Sequence, residues 1–461
     1  MKFKPFFLLL TLSFFIFAAS CNENSKTDKN NTDSTTTEVK YPEKIKSAVI
    51  YEVNIRQYSP EGTFNAFTEQ IPRLADMGVD ILWLMPVFPV GEKNRKGDLG
   101  SYYAVQNYTE VNPEFGTKED LAKLIKVAHE NNMLVILDWV ANHTAWDNVW
   151  IDEHPDWYTH DDKGNIIPPV EDWSDVADLN YDNQEMRAEM LKSLEYWVTD
   201  FDVDGFRCDV AMMVPTDFWE NARIELDKIK PMFMLAESET DDLMVSAFDM
   251  NYSWELLHIT QEIAKGELNA TDLIDYIKRD EERFSEKVLR MTFTSNHDEN
   301  SWNGSVYERF PDCYKTFAAL TFVVPGMPLI YSGQEACLDK RLAFFYKDTI
   351  DWKECEMAGF YKDLIKLKDE NEALWNGELG APITFVNIKE NKNTLVFIRE
   401  QNDDKVLSVF NLSANETEIV ITDEAVFGKY KNYFSGAEIE ISVEKNTFKF
   451  NAWDFWVLIA Q

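Results

Sequence analysis

Eight short apolar runs, separated by amphipathic segments, constrain this chain more than any other feature. Between Ser47 and about Leu374 they fall at residues 49–55, 81–86, 134–139, 203–208, 232–236, 247–250, 289–294 and 328–331. Buried parallel strands read as continuous apolar runs because helices cover both faces of the sheet. The segments between them carry helical spacing. Leu121, Leu124, Ile125 and Ala128 follow a capping-box-like start at residues 117–120, and Met190, Leu194, Trp197 and Val198 form a second stripe. Eight strands alternating with helices predict an α/β fold, a (β/α)8 barrel built from residues 41–138 and 183–375. The stripes are read as packing.

Two segments depart from this rhythm. About 40 residues separate the strand ending at Asp138 from the helix near Asn183, too long for a simple connection, so residues 139–182 are expected to form a small inserted loop subdomain. It carries Trp146, Trp150, Trp157, Tyr158 and Trp173 among many acids. After Asn376 the runs become short and alternating, as in Ile439, Ile441 and Val443 against Glu440 and Ser442. Residues 376–461 are therefore expected to form an antiparallel β-sandwich domain.

The N-terminus reads as an address. Lys2 and Lys4 precede an apolar stretch from Phe6 to Ala19, shorter than the ~20 residues of a membrane-spanning helix, so residues 1–20 read as a secretory signal peptide. Ala18-Ala19-Ser20-Cys21 resembles a bacterial lipobox, which implies lipidation at Cys21. Residues 21–40 are almost wholly polar and read as a disordered tether, with a reach of roughly 60–70 Å at ~3.5 Å per residue. The expectation is an exported protein held by lipid at the bacterial outer membrane, on its periplasmic or external side.

Composition narrows the partners. The formal charge is −36, which argues against nucleic acid and against adsorption to anionic lipid by charge. The 14 Trp, 18 Tyr and 31 Phe supply core, but also flat surfaces for neutral ligands such as sugars. Five cysteines without a CxxC pair argue against a disulfide framework or a cysteine metal site. Cys313, Cys337 and Cys355 could pair after export, with the pairing left open. No organic cofactor is expected.

In a barrel of this type, reactive groups sit at the C-terminal strand ends. The third strand ends in Asp138 and continues to Asn142 and His143. The fourth ends in Arg207-Cys208-Asp209, the fifth in Glu237, and the seventh in His297-Asp298. Several carboxyls, two imidazoles and an arginine around one axis suit glycosidic chemistry, which needs one carboxylate to attack and one carboxylic acid to protonate the leaving oxygen. Neighbouring carboxylates raise the acid's pKa, and an arginine beside the nucleophile keeps it ionised. A Ser/His or Cys/His pairing at a strand end, a glycine-rich phosphate loop and HExxH are all missing.

These four segments, DWVANH (138–143), GFRCD (205–209), LAE (235–237) and SNHD (295–298), resemble the signature regions of the alpha-amylase family, glycoside hydrolase family 13. Residues 78–86, 112–117 and 326–331 add supporting matches, and the resemblance spans about residues 47–370. It implies Asp209 as nucleophile, Glu237 as general acid/base and Asp298 as a third acid gripping sugar hydroxyls. It further implies that Arg207 orients Asp209, that His143 and His297 hydrogen-bond the sugar, that Asp138 supports the site, and that Tyr103 lies beneath the sugar. The implied reaction is retaining hydrolysis of α-1,4 bonds in starch, glycogen or maltooligosaccharides.

Departures matter as well. Met212 and Met213 stand where many endo-acting relatives carry Lys-His, so acceptor-side contacts are altered. Asn142 and Asp178 match two calcium-ligand positions of the family, which implies Ca²⁺ there; the alternative is that Asn142 only hydrogen-bonds the loop. Trp150, Trp173, Trp254 and Trp302 are candidate sugar-stacking residues. The alternatives to an endo-acting hydrolase are an exo-acting α-glucosidase or maltogenic enzyme, a transglycosylase, and a non-catalytic glycan-binding protein. The last is opposed by retention of all three acids. Oligomeric state is not legible.

Overall fold

The computed structural model describes residues 45–285 and 287–461. Its frame is a closed barrel of eight parallel strands, β1 (Ile50–Val53), β2 (Ile81–Leu84), β3 (Leu134–Trp139), β4 (Gly205–Cys208), β5 (Phe233–Ala236), β6 (Met250–Tyr252), β7 (Leu289–Thr292) and β8 (Met327–Tyr331). Neighbours follow chain order, and β8 pairs back onto β1. The expected secretory leader, Cys21 and the expected tether through Lys40 lie outside the described residues.

Register turns the sequence motifs into a site. Asp138 on β3 pairs with Arg207 on β4, and Trp139 with Cys208. Directly paired residues on adjacent strands point to the same face, about 4.8 Å apart. Arg207 and Asp209 are two residues apart, so they share that face too. The ladder continues one residue past each strand: Asp209 N–H donates to Trp139 O (2.9 Å) and Glu237 N–H to Cys208 O (3.0 Å). Gly205 is required where β4 begins, because a Cβ there would lie 1.8 Å from the Phe233 carbonyl oxygen on β5.

The strand boundaries differ from the apolar runs in instructive places. The run at 247–250 yields a strand at Met250–Tyr252. Asp249, just before it, is buried and accepts from Met234 N–H and the Arg223 guanidinium. The strand's own Asn251 is polar, and its Oδ1 accepts from Arg290 on β7, so apolarity alone misplaces it. The run at 49–55 ends early because Ile55–Tyr58 turns into helix. Thr117 does cap the helix Lys118–Glu130 through a reciprocal box with Asp120, and all four residues of its stripe are buried.

After β3 the chain forms a small antiparallel pair, His143–Ala145 with Val176–Asp178. The C-terminal segment builds a six-stranded antiparallel sheet and a separate pair, Thr417–Val420 with Thr447–Phe450. Alternation divides the strand Thr394–Gln401 between two cores. Leu395 and Phe397 join the barrel's apolar cluster, while Val396 and Ile398 pack with Ile419 and Phe450 in a second one. The run ending at Val443 stops instead at Ile441, leaving Val443 exposed. Cys337 and Cys355 form a disulfide, and Cys208 and Cys313 are buried thiols.

Arg399 pins the C-terminal sheet to the barrel. It lies on the barrel-facing side with Leu395 and Phe397, fully buried. Its guanidinium donates to the carbonyls of Ala381 (2.7 Å), Val324 (3.2 Å), Val323 (3.3 Å) and Trp375 (3.2 Å). Burial lowers its pKa to about 9 against the pull of Glu281. Replacing Arg399 with alanine orphans four carbonyls, and each unsatisfied buried group costs ~1–3 kcal/mol. Arg399→Ala should therefore lower unfolding stability by about 3 kcal/mol or more in a denaturant titration; a loss below about 1 kcal/mol would contradict this role.

Candidate active site

Arg207 is the centre of the barrel's C-terminal face. It is completely buried. Its Nη1 donates to Asp138 Oδ1 (2.8 Å) and Asp209 Oδ1 (3.1 Å), and its Nε to the Tyr252 hydroxyl (3.1 Å). Its Nη2 lies 2.8 Å from Glu237 Oε2, at an angle that makes this a charge contact rather than an aligned hydrogen bond. The aligned donor to Glu237 Oε2 is the backbone N–H of Val210 (2.8 Å). Val210 reaches that position only in the left-handed region, at φ +36, which a β-branched residue strongly disfavours. Local strain thus aims one peptide N–H at one carboxylate.

Behind Arg207, Asp138 is fully buried and does not touch the cleft. Its other oxygen accepts from Trp83 Nε1 (3.1 Å) and from the Tyr103 hydroxyl (3.0 Å). Tyr103 stacks on His297, and its hydroxyl lies 2.8 Å from His297 Nε2. On the other side of that ring, Nδ1 is 2.5 Å from Glu52 Oε1, at the end of β1. His297 Nε2 is also 3.2 Å from Asp298 Oδ2.

The two imidazoles are set to opposite charge states. Burial drives His143 down to about 4, so its ring is neutral. Its Nδ1 faces the Asn142 side-chain amide at 3.2 Å; accepting there leaves the ring proton on Nε2. Burial also opposes charge on His297, but Asp298 and Glu52 outweigh it and raise its pKa to about 9. Among the acids, burial and then Glu237 push Asp209 well above the ordinary carboxylate range, despite Arg207. Asp298 is raised by burial and Glu237, with His297 opposing. Arg207 opposes that rise at Asp209, but a single guanidinium is divided among Asp138, Asp209 and Glu237. The cluster as a whole retains a proton to higher pH, and its titration belongs to the group.

Tyr103, His143, Asp209, Glu237, His297 and Asp298 line a cleft of about 410 Å³ together with Lys96, Ser101, Trp173, Asp175, Trp302, Phe344 and Phe345. A larger concavity, about 880 Å³, lies beside Arg73, Glu335 and Trp352. Its one deeply buried acid, Glu335, is already taken by Tyr51 and Arg73, so the acid chemistry belongs to the smaller cleft.

Residues 15–173 and 169–412 match the family model for the alpha-amylase catalytic domain. The chain belongs to the alpha-amylase family. It is a glycoside hydrolase of that family. The chain is 26% identical over 427 residues to an alpha-amylase of Haloarcula japonica, covering 87% of this chain but 62% of the relative's length. Among solved structures, it is 30% identical to a maltogenic alpha-amylase of Thermotoga neapolitana, with a TM-score of 0.83 over 90% of this chain and 99% of that one. An alpha-amylase of Lactobacillus plantarum is also 30% identical, with a TM-score of 0.81 over 91% and 100% of the two chains.

Every catalytic and substrate-binding residue implied by the family resemblance falls in or directly behind this cleft. Asp209, Glu237, Asp298, His143, His297 and Tyr103 line it, and Arg207 and Asp138 lie beneath. Tyr102, adjacent to Tyr103, instead packs under Arg56. Of the four candidate tryptophans, Trp173 and Trp302 line the cleft. Trp254 packs on Tyr252 and Phe293, and Trp150 on Tyr108 and Trp157. Met212 and Met213 are exposed on the turn after Val210.

Sequence reasoning missed Glu52, Lys96, Phe344 and Phe345. Glu52 sits inside an apolar strand, where an acid with no local partner was itself a signal. The other three lie on loops without a motif.

Asn142 and Asp178 supply one amide and one carboxylate between them, and the Asn142 amide nitrogen is already engaged with His143. Among the described residues no group of three or more His, Cys, Asp or Glu could hold a metal ion. Calcium takes about 6–8 oxygens, so Asn142 Oδ1 and the Asp178 carboxylate would supply part of the shell and backbone carbonyls or water the rest.

The state of His297 has a measurable consequence. An unfolded histidine titrates near ~6.5, whereas in the folded protein His297 titrates at about 9. Its contribution is thus fully present below pH ~6.5 and is lost as pH rises through about 9. It amounts to about 3 kcal/mol. The melting temperature should fall by several degrees between pH 7 and 9.5, and Glu52→Gln should flatten that fall; an unchanged pH profile in the variant would contradict the pairing.

Proposed function

We propose that this chain is a retaining α-glucan hydrolase that cleaves α-1,4-glucosidic bonds of starch, glycogen or maltooligosaccharides. The observation that carries this reading is the placement of Asp209 and Glu237 on neighbouring strands against two nitrogens of one guanidinium. Sharing a guanidinium favours the ~5–5.5 Å separation of retaining pairs over the ~6.5–9.5 Å gap of inverting ones. The solved relatives at 30% identity, named as alpha-amylase and maltogenic alpha-amylase, support the substrate class.

In this reading Glu237 is the general acid. Asp209 attacks the anomeric carbon as the glycosidic bond breaks, and Glu237 gives its proton to the departing oxygen. The products of this step are a glycosyl ester on Asp209 and a free sugar hydroxyl. Glu237, now a carboxylate, takes a proton from water as that water attacks the anomeric carbon and releases Asp209. Neutral His143 offers its Nε2–H to a sugar hydroxyl, and charged His297 with Asp298 grips others. Arg207 opposes charge build-up on both acids, and Tyr103 forms the floor. Whether water or a second sugar takes the glycosyl group is not set by these residues, so transfer is the companion outcome.

We further propose export and lipid attachment through Cys21, supported by the basic, apolar and small-residue order of residues 1–21. Cys21→Ser should move the protein from the membrane fraction to the soluble one; retention at the membrane would contradict the anchor.

The activity test is a product time course from maltoheptaose. Asp209→Asn should lower turnover by about 10⁴-fold or more, and Glu237→Gln by about 10²–10⁴-fold. The α-anomer should form first by NMR. Initial β-anomer, or full activity in Asp209→Asn, would overturn the reading.

A further inference from the structure

The cleft is walled on one side, and the barrel order says which side. Glu237 follows β5, across the ring from β1, while the loops after β2 and β8 flank β1. If Glu237 protonates the departing oxygen, the leaving group lies on the β5 side. The sugar that is transferred lies over Asp209, and any glycan continuing beyond it runs toward β8, β1 and β2.

Three segments meet there: the loop of residues 90–100 after β2, residues 172–175 of the insertion, and residues 344–346 after β8. Lys96 Nζ reaches Asp175 Oδ1 (2.8 Å) and the Asp172 carbonyl (2.9 Å), joining the first two. The Leu99 N–H donates to Phe345 O (3.0 Å), joining the first and third. Gly97, at φ +63, is where the loop presses closest, since a Cβ would lie 2.5 Å from Phe345 Cβ. Arg95 stiffens the loop from within, donating to the carbonyls of Gly91 (2.9 Å) and Val90 (3.1 Å). Phe344 packs between Tyr103 and Trp302, tying the rim to the floor. The cleft, about 410 Å³, is near the low end of ligand pockets, which span ~300–1,000 Å³.

We propose that this rim closes the glycon end of the cleft, so that the enzyme acts from the non-reducing end of α-glucans and releases short sugars, with Lys96 as the clasp that determines this specificity. The proposal rests on the reading of the site as an α-glucan hydrolase. A chain cut internally would have to thread past the Lys96–Asp175 contact, whereas a chain end needs only to enter from the β5 side.

The test compares two maltoheptaosides, one free and one carrying a 4,6-ethylidene block on its non-reducing sugar, with products separated by chromatography. The full chain should cleave the free substrate at least about tenfold faster than the blocked one, a difference of ~1.4 kcal/mol in transition-state binding. Early products from the free substrate should be glucose or maltose. Lys96→Ala and, as a second opening of the same contact, Asp175→Asn should narrow the ratio. Equal rates on both substrates in the unmodified protein would overturn the wall while leaving the hydrolase reading intact. No turnover of either would overturn both. An unchanged ratio in both folded variants would remove Lys96 as the clasp.

Discussion

A fully buried guanidinium governs this structure. Arg207 has no exposure to solvent, and an arginine stays charged under these conditions. Removing such a charge from water costs several kcal/mol unless anions and hydrogen-bond acceptors replace the hydration. Here Asp138, Asp209 and Glu237 do so. The dependence is mutual, because those acids would be too strongly desolvated and too repulsive without the cation. Removing one partner would strand the rest, so the site is held as a unit rather than as separate contacts.

Only a closed parallel barrel delivers that unit cheaply. The β3–β4 register places Asp138 beside Arg207, and the β4–β5 register brings Glu237 one residue beyond the paired ends. No loop has to fold into a special shape for either contact. The exception is Val210, whose left-handed backbone gives Glu237 its aligned hydrogen bond. Strain at Val210 therefore falls where a proton-transfer group must be aimed.

Much of this was legible in the sequence, because barrel strands and their last residues are local features. Apolar runs located seven of the eight strands well, and the residues after them are the ones that face the cleft. The sixth run failed because Asn251 and Asp249 are polar yet each accepts a hydrogen bond from a distant arginine, a pairing that periodicity cannot see. The Glu52–His297 contact also depends on elements far apart in the chain. The clasp of Lys96 on the insertion was invisible for the same reason. A lysine in a loop carries no signal until the fold brings an aspartate to it.

The central claim is that Asp209, held by Arg207 beside Glu237, is the group that bonds to the sugar. Its most direct test is to trap the intermediate with a fluorinated α-glucosyl fluoride and map the adduct by peptide mass spectrometry. The account predicts one glycosyl group on the peptide containing Asp209, absent in Asp209→Asn. A label on Glu237 or Asp298, or an adduct that persists in Asp209→Asn, would contradict it.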